Sequence, residues 1–194
     1  MNYKWYDDVP ANSSIEQGDI VENCNIILPN EQHYQAISEG KENIVPLDII
    51  EINVIIISQS CDIQNKKINS IIVCPIWSLQ NFIEKGDWFR STTAREDLRQ
   101  GKFPEYHLLQ RVESEELPND FYFVDFHHIY SVPKKFIEAI LKDKPHKRLL
   151  PPCREHLSQS FARYFMRVGL PVYIPKDEIK NYKTEIDLRT KNTL

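Results

Sequence analysis

Val54-Ile55-Ile56-Ile57-Ser58-Gln59-Ser60-Cys61-Asp62, followed after a polar stretch by Ile71-Ile72-Val73-Cys74-Pro75-Ile76, is the segment on which the reading of this chain turns. Each apolar run is short, β-branched and without a polar gap. Such runs read as strands buried on both faces, and both are shorter than the ten or so residues of a buried helix. Pro75 lacks an N–H and is expected to close the second strand. The loop from Ser58 to Ser70 then presents Ser58, Gln59, Ser60, Cys61 and Asp62 at one end of a hydrophobic hairpin.

Around this hairpin, 194 residues with 41% hydrophobic and 11% aromatic content suffice for one domain with a real core. No apolar run approaches the roughly 20 residues that span a bilayer, and the N-terminus MNYKWYDDVP lacks the apolar core of a signal peptide. A cytoplasmic protein without membrane insertion is expected. Cys24, Cys61, Cys74 and Cys153 form no CxxC pair. Four reduced thiols, no metal and no cofactor are the expectation, with Cys74 buried in its strand. The net charge of −4 hides an asymmetry: Met1 to Ser131 holds 10 basic against 21 acidic residues, and Val132 to Leu194 holds 14 against 7. An acidic body with a basic end can self-pair, bind a protein or bind nucleic acid; a solvated basic surface is the commoner outcome.

Upstream, Tyr3, Trp5 and Tyr6 suggest an aromatic arm, and Gln17-Gly18-Asp19-Ile20-Val21 a turn entering a strand that ends by Pro29. Glu31 to Pro46 shows no sustained apolar pattern and reads as a long mobile loop. Downstream, Ser78 to Gln100 reads as a helical insertion, with Ser91-Thr92-Thr93 capping its second helix and Gly101 ending it. Trp77 and Trp88 flank that insertion and are expected to anchor the core. Tyr106 to Val112 and Phe121 to Val132 read as strands, and Lys134 to Leu141 as a short helix. A terminal amphipathic helix follows Pro152, with Leu157, Phe161, Tyr164, Phe165 and Val168 on one face. Leu157, Phe161 and Phe165 are expected to dock it, before a stop at Gly169 and Pro171. Residues 1–175 then form one unit, and 176–194 a polar tail or edge strand where proteolysis or a junction with a further segment is expected.

Three groups of residues could carry chemistry. Cys61 or Ser60 could be a nucleophile activated by His107, His127, His128 or His156, but spacing selects none of them. The plainer reading is that Ser, Gln and Asp satisfy the backbone of a turn. His127 and His128 are adjacent on a strand and cannot share a side, which argues against a metal pair. Arg163 and Arg167, four apart on one helix, could grip a phosphate or a partner's carboxylate, or pair with the acidic body.

The order of these words resembles the MazF/PemK-like toxins. The resemblance runs from Gln17 to Leu141 through Gly18-Asp19-Ile20-Val21, the strand Val54 to Ser58, the strand end Val73-Cys74-Pro75-Ile76, and Phe123-Val124-Asp125 leading into a short helix. It implies an α+β fold: a small SH3-like, MazF-type antiparallel β-barrel with a helical insertion and a C-terminal amphipathic helix. The RNA-cleaving members carry Arg-Pro where this chain has Glu51-Ile52-Asn53, and Thr or Ser where it has Trp77, with Ser78 one residue later. RNA cleavage needs a proton acceptor and a cation for the developing phosphate charge, so the resemblance implies a vestigial pocket at Ser58, Gln59, Ser60, Cys61, Asp62 and Ser78 with no catalytic residue. A second resemblance is to the MazF-homologous component of type III CRISPR protease modules. It implies a non-catalytic regulator that binds and inhibits a sigma factor and is cut by a Lon-like protease in antiviral signalling, with Arg163 and Arg167 as partner-binding candidates. Nucleic acid is not the favoured partner. A sequence-specific endoribonuclease toxin is the alternative function, and a small hydrolase using Cys61 a further one.

Overall fold

The structure, a computed structural model, describes residues 3–40, 46–86 and 89–166. Its contacts divide the chain into a unit Met1–Tyr164 and a second, Phe165–Leu194. The expectations for Val168, Gly169, Pro171 and the 176–194 tail lie outside the described residues, as do Trp88 and Arg167.

Fourteen elements are present among the described residues: β1 (Tyr6–Val9), β2 (Ile20–Leu28), α1 (Glu31–Ser38), β3 (Asp48–Ile56), α2 (Ser60–Gln64), β4 (Ser70–Ser78), α3 (Leu79–Lys85), α4 (Thr92–Arg99), β5 (Tyr106–Val112), β6 (Asp120–Asp125), β7 (Tyr130–Pro133), α5 (Lys134–Leu141), β8 (His146–Leu149) and α6 (Cys153–Phe165). The fold is α+β with antiparallel sheets. The larger sheet has the order β2-β3-β4-β6-β5, with β7 also on β4, and it is not closed into a barrel; β1 and β8 form a separate pair.

β3 and β4 are the centre of this sheet, as their uninterrupted β-branched runs predict. Ile55, Ile57, Cys74 and Ile76 face one hydrophobic cluster with Leu109, Phe126 and Leu157. Val54, Ile56, Ile71 and Val73 face a second, closed by Ile137 and Leu141 of α5. Alternation along each strand sends neighbours to opposite clusters, so every position must be apolar. Ile72, at 38% exposure, is the exception. A third, aromatic cluster holds Phe89, Phe123, Leu79 and Leu98 beneath α3 and α4, with Phe89 and Phe123 at a 70° interplanar angle. Ser78 and Ser91 cap these helices by accepting the Asn81 and Ala94 N–H groups.

Several sequence expectations need correction. Pro75 does not end its strand: β4 runs on to Ser78. Val54 pairs with Pro75, while β7 pairs with Ser70 to Val73 and β6 with Ile76 to Ser78. β6 and β7 are therefore successive partners of β4, and the missing N–H falls at the changeover. The single strand expected from Phe121 to Val132 is broken there, because the Asp125 carboxylate accepts the His127 N–H at 3.0 Å and turns the chain. Part of the expected mobile loop is helix α1, started by an Asn30–His33 capping box. The N-terminal arm includes strand β1, registered on β8 from Tyr6↔Leu149 to Val9↔His146.

The terminal helix docks through Leu157, Phe161 and Tyr164. Phe165 is 56% exposed. Seven residues make nearly two turns, so Tyr164 lies above Leu157, while Phe165 is rotated some 80° away. Trp77 is also surface-facing, at 36% exposure, rather than a core anchor. Gly18 has φ +86°, and a Cβ there would meet Leu149 Cβ at 3.0 Å, so the Gln17–Val21 word needs its glycine.

Candidate functional site

The polar end of the hairpin is built into the fold. Ser58 is buried, and its Oγ accepts the Ile72 N–H at 2.8 Å. Ser60 opens α2, and its Oγ accepts the Gln17 N–H at 3.1 Å. Gln17 in turn donates to Ile57 O at 2.8 Å and to Ser158 Oγ at 2.9 Å. These bonds tie the hairpin loop to the N-terminal turn and α6. Cys61 is exposed, with its Sγ 3.6 Å from Gln59 Oε1 and 3.8 Å from Asp62 Oδ1. Asp62 pairs with Lys67 at 3.2 Å.

The candidate bases lie elsewhere. His127 Nδ1 and His128 Nδ1 reach the two oxygens of Asp125 at 3.0 and 2.8 Å. His107 and His156 line a separate cavity with Arg163. Among the described residues no histidine is hydrogen-bonded to Cys61 or Ser60, so no nucleophile–base pair is assembled. Cys74 is equally unsuited: burial, with Asp125 nearby, pushes its thiol up to about 12.

The structure does bring together the two places where the chain departs from the RNA-cleaving pattern. Glu51 and Asn53 of β3 and Trp77 and Ser78 of β4 line one cavity of about 700 Å³, with Lys85 and Glu116 at its rim. Asn53 Oδ1 accepts the Asn23 N–H at 2.9 Å, holding Asn23 at φ +52°. The Ser78 hydroxyl is committed twice. It donates to Asp120 Oδ2 at 2.5 Å and accepts the Asn81 N–H at 3.1 Å. Asp120 Oδ2 also accepts the Gln80 N–H at 2.9 Å, which fixes the start of α3. Glu51 and Glu116 are exposed and form no ion pair among the described residues. Glu22, beside this wall, bonds the Ser114 hydroxyl. The cavity is thus acidic and aromatic, with Lys85 as its one lining cation among the described residues.

Ser58 and Ser60 therefore hold the scaffold, and Ser78 caps a helix at the edge of the cavity. Sequence reasoning missed Glu116; the acidic run Glu113-Ser114-Glu115-Glu116 was its signal. It also missed the buried cluster under the N-terminal turn. Asp19 is fully buried, and its carboxylate accepts Arg148 Nε, Arg148 Nη2 at 2.9 Å and the Glu16 N–H at 2.8 Å. His146 Nε2 lies 3.2 Å from Asp19 Oδ2 without hydrogen-bond alignment.

Among the described residues no group of three or more His, Cys, Asp or Glu could hold a metal ion, and no helix is long and apolar enough to cross a membrane. No protein-family model matches the chain, and no curated protein matches it.

Proposed function

We propose that this chain is a non-catalytic, MazF-like regulatory protein whose acidic cavity holds a cationic segment of a protein partner. The observation that carries this reading is that Glu51, Asn53 and Trp77, which stand where the RNA-cleaving members of the resembling family carry a cation and a hydroxyl, meet Glu116 around one cavity. Carboxylates there repel the phosphates of RNA, and among the described residues no unpaired hydroxyl or histidine lines the cavity. A lysine or arginine from a partner would instead meet two carboxylates and the face of an indole. The SH3-like, MazF-type barrel belongs to the same proposal. It is supported by β4, which pairs with β3, β7 and β6 along its length, as the central strand of a strongly bent sheet does.

The partner we propose is a sigma factor of the extracytoplasmic-function type, held inactive until a Lon-like protease cuts this chain during antiviral CRISPR signalling. The ordered words from Gln17 to Leu141 support the MazF-like part of that assignment, and the isoleucine-, lysine- and asparagine-rich wording and polar C-terminus are compatible with the sigma-factor role. Titration of such a sigma factor from the same genome into the 194-residue chain tests it, with saturable binding at micromolar concentrations or below expected. Sequence-specific cuts in a mixed RNA, abolished by Ser78→Ala, would overturn the reading in favour of a ribonuclease.

A further inference from the structure

α6 presents two adjacent stripes. Leu157, Phe161 and Tyr164 pack into the core. His156, Gln159, Ser160 and Arg163 recur at i, i+3, i+4 and i+7 and line a cavity of about 390 Å³. Its other wall includes His107 of β5, Arg99 at the end of α4, and the rings of Trp5 and Tyr106. Among the described residues no carboxylate lines it, although Glu96 engages Arg99 from outside through both oxygens, at 2.6 and 2.7 Å. In a chain of net charge −4 that is a marked local reversal.

Two groups in this cavity have unmet bonding capacity. Arg163 is exposed and has no ion pair among the described residues. His107 Nε2 is buried and has no hydrogen-bond partner among the described residues. A buried polar atom without a partner is unfavourable, and a ligand oxygen would relieve it. A divalent cation fits poorly beside two guanidinium groups. A carboxylate offers two oxygens, fewer than the donors that Arg99, Arg163, His156, His107, Ser160 and Gln159 can supply. A phosphate offers three terminal oxygens and two charges, and Arg is suited to bind it in a fork. The volume exceeds that of a bare phosphate, and the remaining wall is aromatic.

We propose that this cavity binds a small phosphomonoester carrying a planar ring, with Arg163, His156 and His107 on the phosphate and Trp5 and Tyr106 beside the ring. It shares no lining residue with the acidic cavity. The two sites can therefore succeed or fail separately. In the free protein, burial and then the neighbouring His156 lower His107 to about 4. A bound dianion would oppose both effects and raise the pH at which His107 titrates. The titratable and charged groups lining the same cavity are His156 and Arg163 from α6, Arg99 from α4 and Tyr106 from β5.

The experiment is calorimetric titration of inorganic phosphate and of adenosine monophosphate into the full chain, followed by NMR of the histidine rings. Both probes are expected to bind, the nucleotide more tightly, with its arrival moving the His107 resonances and raising the midpoint of their titration. Arg163→Gln and His156→Gln, both at exposed positions, are each expected to weaken binding at least tenfold. Lys144→Gln, an exposed cation outside the cavity, is expected to leave it unchanged. The proposal is overturned if neither probe binds at millimolar concentration, or if Lys144→Gln weakens binding as much as Arg163→Gln. Binding of single-stranded RNA with no binding of the monophosphate would also overturn it.

Discussion

Asp19→Asn removes one negative charge from the most enclosed ionic cluster in the described residues. The Asp19 carboxylate has no exposed surface, and the Arg148 side chain keeps only 15%. With its oxygen at the Oδ2 position the amide would still accept the Glu16 N–H and Arg148 Nη2, but its NH2 group would face Arg148 Nε, which loses its acceptor. Glu16, 3.2 Å from Arg148 Nη1, would remain as the only carboxylate among the described residues paired with that guanidinium. Removing one partner of a buried pair typically costs about 3–5 kcal/mol, because the other charge is left poorly compensated. For a domain of this size each kcal/mol lowers Tm by roughly 2–4 °C, so a fall of about 6–20 °C is expected. Glu16 keeps the loss toward the lower part of that range. Thermal denaturation followed by circular dichroism measures it. A second variant, Asp19→Asn with Arg148→Met, removes the stranded charge and is expected to recover part of the loss. A Tm within 2 °C of the parent for Asp19→Asn alone would refute the reasoning, since the cluster would then be open to water.

Leu157 has no exposed surface, so Leu157→Ala should destabilise by about 2–5 kcal/mol in a denaturant titration; a loss under about 1 kcal/mol would mean that α6 is not docked through this residue. His107 titrates in the fold at about 4 against an ordinary value of 6.5, so the unfolded chain binds more protons between these two values. Its contribution is intact above pH 6.5 and is lost as pH falls towards 4. Acid should therefore lower stability by on the order of 3 kcal/mol over that window, and His107→Gln should flatten this part of the pH profile. A variant that keeps the parent's acid slope would assign the slope to other groups.

The centre of the fold was legible because both faces of β3 and β4 are buried, which leaves an uninterrupted apolar signature at Val54–Ile57 and Ile71–Cys74. Elements fixed by single polar bonds were not. Asn30 and His33 start a helix whose residues are all at least partly exposed, so no apolar period announces it. One carboxylate, Asp125, splits an aromatic run that reads as continuous strand. β1 and β8 are four residues each and far apart in sequence, and only their pairing makes them strands. For the candidate site, the substitutions at Glu51, Asn53 and Trp77 were visible against the resembling family, and their meeting in one cavity required the pairing of β3 with β4. The loop Ser58–Asp62 looked like chemistry because hydroxyls, a thiol and a carboxylate cluster there. Its hydroxyls are instead occupied by the N–H groups of Ile72 and Gln17.

The acidic cavity is tested most directly by charge reversal. Glu51 and Glu116 are exposed, so Glu51→Lys with Glu116→Lys should fold as the parent does, within about 0.5 kcal/mol. Titrating the sigma factor into parent and double variant by calorimetry, in the same buffer, gives the decisive comparison. The account predicts at least a tenfold loss of affinity with an unchanged Tm. Equal affinity for the two proteins, with the variant fully folded, would contradict it.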